Sequence, residues 1–218
     1  CLIFFRIFEQ IKTNMIVIFS FNRPGKLKKI VEHLKKNTNR QIIIMDDCSD
    51  FDVSMFECDR VNAYKRKSNG GKKRYWEQWN TALNLCKQTD DETFVFMPDD
   101  FMDIDMQRIE TWIECLNTGS SFLVNLINDG RLECFQPFVP MPIEIDNENA
   151  WRVGFTDCGF FCNRKTLETL KFRIDPIGEW RWHNNPNMSS GVGQQLSNRL
   201  IASCTMYVPK QSFASHGT

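Results

Sequence analysis

Short, unbroken apolar runs alternate with helical patterns through the first half of this sequence, and this alternation restricts the fold more than any other feature. Three runs predict buried strands, "MIVIFSF" at 15–21, "QIIIM" at 41–45 and "TFVFM" at 93–97, and a weaker strand is expected near 60–66. Each of the three is rich in β-forming residues and ends in polar loop residues. Unbroken apolar strands are typical of parallel sheets that are covered on both faces.

The segments between these runs have the apolar spacing of amphipathic helices, with hydrophobic residues three and four positions apart. Three sets of positions follow this spacing: Leu27, Ile30, Val31 and Leu34; Trp76, Trp79, Leu83 and Cys86; Met106, Ile109, Ile113 and Leu116. Alternation of strands with helices of this kind predicts an α/β fold with a parallel sheet between helical layers.

Two pairs of adjacent aspartates, Asp46-Asp47 and Asp99-Asp100, follow two of the predicted strands. In parallel sheets ligands bind at the carboxyl ends of the strands, so both pairs and the polar residues 22–23 should meet at one edge. Adjacent carboxylates repel each other, and a hard divalent cation such as Mg²⁺ or Mn²⁺ would relieve that repulsion. The alternative is that the second pair merely caps the helix that follows it.

The composition excludes several classes of protein. A chain of 218 residues is long enough for one domain with a substantial core. It has 27 basic and 27 acidic residues, so no overall field would attract nucleic acid or a membrane surface. Its nine cysteines include no C-x-x-C pair, and most lie in apolar runs. We therefore expect reduced, buried thiols and a cytoplasmic location, and neither a disulfide framework nor a zinc site.

The opening segment, residues 1–14, has a short apolar patch that charged residues interrupt. It is too short to span a membrane and lacks a signal-peptide cleavage site, so we expect an N-terminal extension and no membrane span. A single domain is predicted for residues 15–218, with a ligand-binding half at 15–103 and a second half at 104–218. In the second half, strands are expected within 120–128 and 154–164, with a proline-rich loop around 137–143. The abrupt end after "SFASHGT" leaves room for further C-terminal domains.

A longer pattern carries a family resemblance. The segments "VIFSFNRPGKLKKIVEHL", "QIIIMDDCSD" and "NTALNLCKQTDDETFVFMPDDF" resemble, in order and spacing, the nucleotide-binding half of GT-A glycosyltransferases. The likeness covers residues 15 to 110, and it extends both to inverting family 2 enzymes and to N-acetylglucosaminyltransferase I. It implies a mixed, mostly parallel sheet flanked by helices. Small domains of this type occur in bacteria and large DNA viruses, so a viral source is one expectation.

The resemblance implies a metal-dependent hexosyl- or deoxyhexosyltransferase. Such an enzyme moves a sugar from a UDP-sugar to a hydroxyl group of a glycan or glycoprotein, here with inversion. Asp47 would contact the uracil or ribose, and the basic loop 65–74 would lie beside the diphosphate. The remaining donor-binding residues implied by the family pattern are Phe19, Ser20 and Phe21 beneath the base, Asn22 and Arg23 near the phosphates, and Asp99 at the ribose or a metal-bound water.

The metal site is implied at the second aspartate pair. Asp100 would bind Mn²⁺ or Mg²⁺ directly, but Pro98 stands where the D-x-D pattern has its first aspartate. Many GT-A enzymes complete the metal shell with a histidine after the last strand, and His216 occupies such a place. Neutral imidazole is a suitable third ligand.

An inverting transferase also needs a carboxylate within hydrogen-bonding reach of the acceptor hydroxyl. Asp157 is the candidate base because "FTDCGFFCNR" resembles the segment beneath the sugar in inverting enzymes, and Glu179 is the reserve. If neither serves, Gln194 or Gln195 beside the anomeric carbon would fit a retaining enzyme.

The acceptor is expected at "EWRWHNNPN", where Trp180 and Trp182 would share one face of an extended segment, followed by His183. Aromatic faces with amide donors suit a sugar, although tryptophans that merely anchor the loop would give the same pattern. Two other functions stay open. One is transfer to a DNA base, which the charge balance disfavours. The other is a non-catalytic module that binds nucleotide-sugars.

Overall fold

The computed structural model describes residues 14–130 and 139–217 of the chain. Most of the expected N-terminal extension, residues 1–13, therefore lies outside the described residues, as do residues 131–138. The strands are β1 Met15–Ser20, β2 Gln41–Asp46, β3 Val61–Lys65, β4 Thr93–Pro98, β5 Phe101–Met102, β6 Phe122–Asn125, β7 Met141–Ile145, β8 Glu148–Val153, β9 Phe160–Asn163, β10 Thr205–Pro209 and β11 Ser215–His216. The helices are α1 Pro24–Asn37, α2 Tyr75–Gln88, α3 Met106–Leu116, α4 Arg164–Thr169 and α5 Val192–Leu200.

Nine of these strands form one sheet in the order β3-β2-β1-β4-β9-β6-β10-β8-β7, and β5 pairs with β11 apart from it. The pairings of β1 with β2 and β4, of β2 with β3, and of β6 with β10 are all parallel. Within this nine-stranded sheet of the described residues, β8 and β9 run against the common direction of the other seven strands. The α/β class with a mixed, mostly parallel sheet is confirmed.

Two hydrophobic layers hold the helices against the sheet. Helices α1 and α3 cover one face, with Leu27 and Ile109 packed in the same cluster as Ile18 of β1. Helices α2, α4 and α5 cover the other face, where the Trp79 ring packs between the rings of Phe19 and Phe96. Because alternate residues of β1 point to opposite faces, a fully apolar strand is needed there, as the sequence pattern predicted.

Three local predictions for the second half need correction. The strand expected within 154–164 is confined to β9, because residues 154–159 form a loop held by side-chain hydrogen bonds. Of the proline-rich loop expected at 137–143, the described part mostly belongs to β7. Among the described strands, β7 pairs with β8 alone and lies at the sheet edge, where Pro142 needs no ladder partner on its outer side.

The segment expected to be extended around Trp180 and Trp182 is instead a turn of 3₁₀ helix, Glu179–Trp182. Side chains two residues apart point in different directions in such a turn. Trp180 is therefore 74% exposed whereas Trp182 is 4% exposed, so the prediction that they share one face is wrong.

The described cysteines form no disulfide. Cys86, Cys162 and Cys204 are buried as expected, whereas Cys115 is exposed. Cys115 lies outside the apolar stripe of α3, so its position within an apolar run did not predict burial. None of the helices within 14–130 and 139–217 is long and apolar enough to cross a membrane.

Candidate functional site

The second aspartate pair joins the ends of β1 and β4. The backbone N–H of Asp99 donates to the carbonyl of Phe19 at 2.9 Å. Its buried carboxylate accepts hydrogen bonds from the Ser20 hydroxyl at 2.8 Å, the Phe21 N–H at 3.2 Å and the Arg23 guanidinium at 3.1 Å. Of the predicted donor-binding residues after β1, Ser20, Phe21 and Arg23 therefore meet at the first carboxylate of the pair. Asn22 instead bonds to Ser49 and Asp50 in the turn after β2.

Burial raises the pKa of Asp99, although its bonds from Ser20 and Phe21 and the charge of Arg23 act in the opposite direction. Burial lowers the pKa of Arg23, but the charges of Asp99 and Asp100 outweigh it and raise that pKa overall. The Arg23 guanidinium is thus the cation that offsets the repulsion between the two carboxylates in this structure.

Asp100 is the more open member of the pair. One of its carboxylate oxygens, Oδ2, accepts a hydrogen bond from Arg23 at 3.1 Å. The other oxygen, Oδ1, is buried and has no hydrogen-bond partner within the described part of the chain. A buried, unpartnered carboxylate oxygen is costly unless a ligand satisfies it.

The last described residues bring His216 to the same place. Strand β11 pairs with β5 directly after the aspartate pair, with His216 opposite Phe101 and its ring 5.1 Å from the Phe101 ring. The Gly217 N–H donates to the carbonyl of Asp100 at 2.6 Å, and the Lys26 ammonium donates to the carbonyl of Gly217 at 2.8 Å. Two separate parts of the chain, α1 and β5, therefore hold this terminal segment beside Asp100.

A cavity of about 200 Å³ lies between the aspartate pair and the loop before β9. Its walls contain three of the residues predicted from sequence: Asp100, His216 and Asp157. The lining contributed by the described residues is Pro98, Asp100, Phe101, Asn125, Ile127, Asp129, Phe155, Asp157, Cys158, Gly159 and His216. The predicted metal ligands and the predicted base, which are far apart in sequence, therefore face one space.

The loop that carries Asp157 is held by Asn125 at the end of β6. The buried Asn125 amide oxygen accepts the Asp157 N–H at 3.2 Å and the Thr156 hydroxyl at 2.9 Å. Its amide nitrogen donates to the carbonyls of Phe155 and Tyr207. Asn125 is therefore a rigid support for the loop. Sequence reasoning missed it, although a polar residue inside the apolar run "FLVNLI" was an available signal.

Two further residues near this space were also missed. Asp129 lines the cavity together with Asp157. Tyr75, at the start of α2, packs edge-on against Phe19 with ring centroids 5.3 Å apart. Burial raises the pKa of Tyr75 well above its ordinary value, and the nearby charges of Cys158, Asp157 and Asp99 act in the same direction.

The first aspartate pair has a different role in the structure. Asp46 is buried and accepts hydrogen bonds from the N–H and hydroxyl of Ser49, which closes the turn after β2. Asp47 accepts from the Arg66 guanidinium at 3.1 Å, the Gly70 N–H at 3.0 Å and the Gly71 N–H at 2.7 Å. Asp47 therefore anchors the basic loop. Its predicted contact with uracil or ribose stays a prediction.

Both arginines of loop 65–74 are paired with acidic side chains. Arg66 donates to Glu77 at 2.7 Å as well as to Asp47, and Arg74 donates to Glu77 at 2.8 Å. The Lys72 ammonium donates to the carbonyl of Pro186, so this loop contacts the segment where the acceptor was expected. Its placement beside a diphosphate remains untested.

The predicted acceptor residues lie outside the cavity lining. The buried Trp182 donates from its indole to the carbonyl of Met188 at 3.1 Å, which makes it an anchor of the loop. Trp180 and His183 are exposed. The reserve base Glu179 is also exposed and is not part of the cavity wall.

The two glutamines proposed for a retaining enzyme are engaged elsewhere. The Gln194 side-chain oxygen accepts a hydrogen bond from Arg181 at 3.1 Å. The Gln195 side-chain oxygen accepts the Asp175 N–H at 2.6 Å, and neither glutamine lines the cavity.

The residues beside the cavity fit a hard divalent ion only in part. Carboxylate and imidazole ligands suit Mn²⁺ or Mg²⁺, and the unpartnered Asp100 oxygen points to a missing ligand. Within residues 14–130 and 139–217, no group of three or more His, Cys, Asp or Glu side chains is close enough to hold a metal alone. Such an ion would therefore need further ligands from water or from a bound phosphate, which is common for Mg²⁺.

No protein-family model matches the chain, and no curated protein matches it in sequence. Solved structures do match it in shape. S. aureus TarS 1-349 matches with a TM-score of 0.55 and 14% identity, covering 90% of this chain and 60% of the TarS fragment. A longer S. aureus TarS structure matches with a TM-score of 0.58 and 12% sequence identity, and the match covers 94% of this chain and 37% of TarS.

A third match is glucosyl-3-phosphoglycerate synthase from Mycobacterium tuberculosis, in complex with Mn²⁺, UDP and glucosyl-3-phosphoglycerate. Its TM-score is 0.57 at 14% identity, and the match covers 95% of this chain and 72% of the synthase. Identities this low show a shared fold and leave activity and substrates to be tested. The fold that these structures share with the chain is the GT-A fold.

Proposed function

We propose that this chain is a glycosyltransferase that moves a sugar from a UDP-sugar to a hydroxyl group, with Mn²⁺ or Mg²⁺ bound at Asp100. The observation that supports this most is that Asp100, with its buried unpartnered oxygen, shares one cavity with His216 and Asp157. That cavity lies at the carboxyl ends of parallel strands, where ligands of α/β sheets bind. A structure with the same fold holds UDP and Mn²⁺.

In this proposal residues 19–23 bind the nucleotide. Asp99 holds Ser20, Phe21 and Arg23 in one fixed arrangement after β1, and Ser49 and Asp50 hold Asn22. Asp100 and His216 would hold the metal, which supplies positive charge that neutralises the leaving diphosphate. Asp47 would act by fixing loop 65–74 next to the donor. Its three hydrogen bonds to that loop support this indirect role.

Asp157 is proposed as the general base of an inverting transfer. Its carboxylate would take the proton of the acceptor hydroxyl as that oxygen bonds to the anomeric carbon and UDP leaves. Its position in the cavity wall and the support of its loop by Asn125 favour this role. A retaining mechanism finds less support, because Gln194 and Gln195 are bonded outside the cavity.

The proposed acceptor is a glycan or glycoprotein that approaches along the loop containing the exposed Trp180. A largely exposed indole can stack on a sugar ring without first leaving the protein core. The sugar would be a hexose or deoxyhexose, and the cytoplasm is the proposed compartment because Cys86, Cys162 and Cys204 are buried free cysteines.

Release of UDP from a panel of UDP-sugars in the presence of Mn²⁺ tests the proposal. Asp157→Asn should lower turnover by about 10²–10⁴-fold and leave UDP binding unchanged. Asp100→Ala should abolish metal-dependent UDP binding. Asp175→Asn, an exposed aspartate outside the cavity, is the matched control and should retain full turnover. Binding of UDP without turnover of any donor would instead identify a non-catalytic module, and absence of UDP binding would refute both.

A further inference from the structure

Arg23, which was predicted to lie near the phosphates of the donor, bridges the carboxylates of Asp99 and Asp100 in this structure. It lies immediately before α1, and one of its nitrogens, Nη1, is 3.1 Å from both Asp99 Oδ1 and Asp100 Oδ2. Its side chain is 48% exposed, while those of Asp99 and Asp100 are 4% and 28% exposed. The guanidinium therefore rests on the solvent side of the acidic pair and blocks one of the two oxygens of Asp100.

We propose that Arg23 is the resting counter-ion of this pair, competing with the divalent cation for Asp100 until the diphosphate of the donor takes its guanidinium. This inference rests on the proposed function. It assigns to Arg23 a role in setting when the metal binds, in addition to contact with the donor.

The bonding of each carboxylate indicates which one must change partners. Besides Arg23, Asp99 accepts hydrogen bonds from the Ser20 hydroxyl and the Phe21 N–H, both on its other oxygen, Oδ2. Asp100 has Arg23 on Oδ2 and no partner on Oδ1. A cation that binds Asp100 would therefore lie close to the guanidinium and be repelled by it, since like charges at short range disfavour each other.

The diphosphate of a donor would relieve this repulsion between the cation and the Arg23 guanidinium by binding the guanidinium itself. A guanidinium binds phosphate oxygens through paired hydrogen bonds, so a phosphate is a good alternative partner for Arg23. The half-exposed side chain can turn towards such a ligand without disturbing the core. The metal alone should consequently bind weakly, and UDP should strengthen its binding by removing a competing cation as well as by adding ligands.

Titration of the protein with Mn²⁺, followed by electron paramagnetic resonance with and without UDP, tests this inference independently of turnover. Without UDP, Arg23→Gln should bind Mn²⁺ about fivefold more tightly than wild type, a change expected for a partly exposed ion pair. The factor by which UDP strengthens Mn²⁺ binding should be smaller in this variant. Arg173→Gln removes a comparably exposed arginine from an ion pair outside the cavity and should match wild type.

A second variant, Arg23→Lys, distinguishes the effect of the positive charge from an effect of the substitution on folding. Arg23→Lys keeps the charge but replaces the guanidinium fork with a single ammonium, so its Mn²⁺ affinity without UDP should lie between those of wild type and Arg23→Gln. Equal or weaker Mn²⁺ binding by a folded Arg23→Gln would overturn this inference and leave the proposed function standing. Failure of the wild-type protein to bind Mn²⁺ even with UDP would overturn both.

Discussion

Replacement of Asp47 by Asn tests whether this residue is a structural anchor, as the structure indicates, or only a nucleotide contact. Asparagine keeps the shape of the side chain but turns one acceptor oxygen into a donor. If the amide oxygen takes the place of Oδ1, the Gly71 N–H loses its 2.7 Å bond, and the bonds from Arg66 and Gly70 lose the carboxylate charge. Bonds to charged groups contribute about 1.5–3 kcal/mol each, so we expect a loss of about 3 kcal/mol.

The assay is thermal unfolding of the ligand-free protein by calorimetry. In a chain of this size about 3 kcal/mol corresponds to a fall in Tm of about 6–12 °C. Asp50→Asn is the control, because that exposed carboxylate of the same loop accepts only a neutral side-chain bond from Asn22, and its Tm should change little. If Asp47→Asn unfolds at the wild-type temperature, the anchoring role is refuted and a direct ligand contact becomes the better explanation.

Three further predictions concern stability. Burial raises the pKa of Asp99 in the folded protein, so the stability that this carboxyl contributes is present at low pH and is lost as pH rises through the raised pKa. Urea titrations over this pH interval should therefore show the free energy of unfolding of wild type falling relative to that of Asp99→Asn. A methyl group on Gly159 would lie 2.5 Å from the Phe101 ring, so Gly159→Ala should cost about 1–3 kcal/mol, and an unchanged urea midpoint would contradict this packing. Because Trp182 is buried and Trp180 is exposed, Trp182→Ala should lower the free energy of unfolding by about 3–5 kcal/mol and Trp180→Ala by less than about 0.5 kcal/mol. Equal effects of the two changes on Tm would contradict the assigned 3₁₀ turn.

The first half of the fold could be predicted because its signals are local. The apolar runs and helical spacings of residues 15–116 identify β1, β2, β4 and the helices α1 to α3 directly, and the helix between β1 and β2 accounts for their parallel pairing. The parallel pairing of β2 with β3 follows a connection that contains only the 3₁₀ turn Val53–Phe56, so it could not be predicted in this way. The convergence of Asp99-Asp100 with residues 19–23 then needs only the rule that ligands collect at the carboxyl ends of parallel strands. The meeting of Asp99-Asp100 with Ser20, Phe21 and Arg23 was therefore predictable from sequence. The bonding of Asp46 to Ser49 and of Asp47 to loop 65–74 was not.

The rest of the site depends on contacts between residues far apart in sequence. The Arg23 bridge and the Asn125 support join segments that are separated by 76 and 32 residues, and periodicity carries no information about such pairs. The 3₁₀ turn at 179–182 was missed because its single turn is too short to show a period, so the directions of its two tryptophans could not be inferred.

The central claim is that the cavity between Asp100, His216 and Asp157 is a nucleotide-sugar site. A crystal structure of the protein with UDP and Mn²⁺ tests it most directly. We expect a cation bound by Asp100 and the diphosphate, the base above residues 19–21, and the Arg23 guanidinium turned from Asp100 to a phosphate. UDP bound away from Asp100, or no UDP at saturating concentration, would contradict the account.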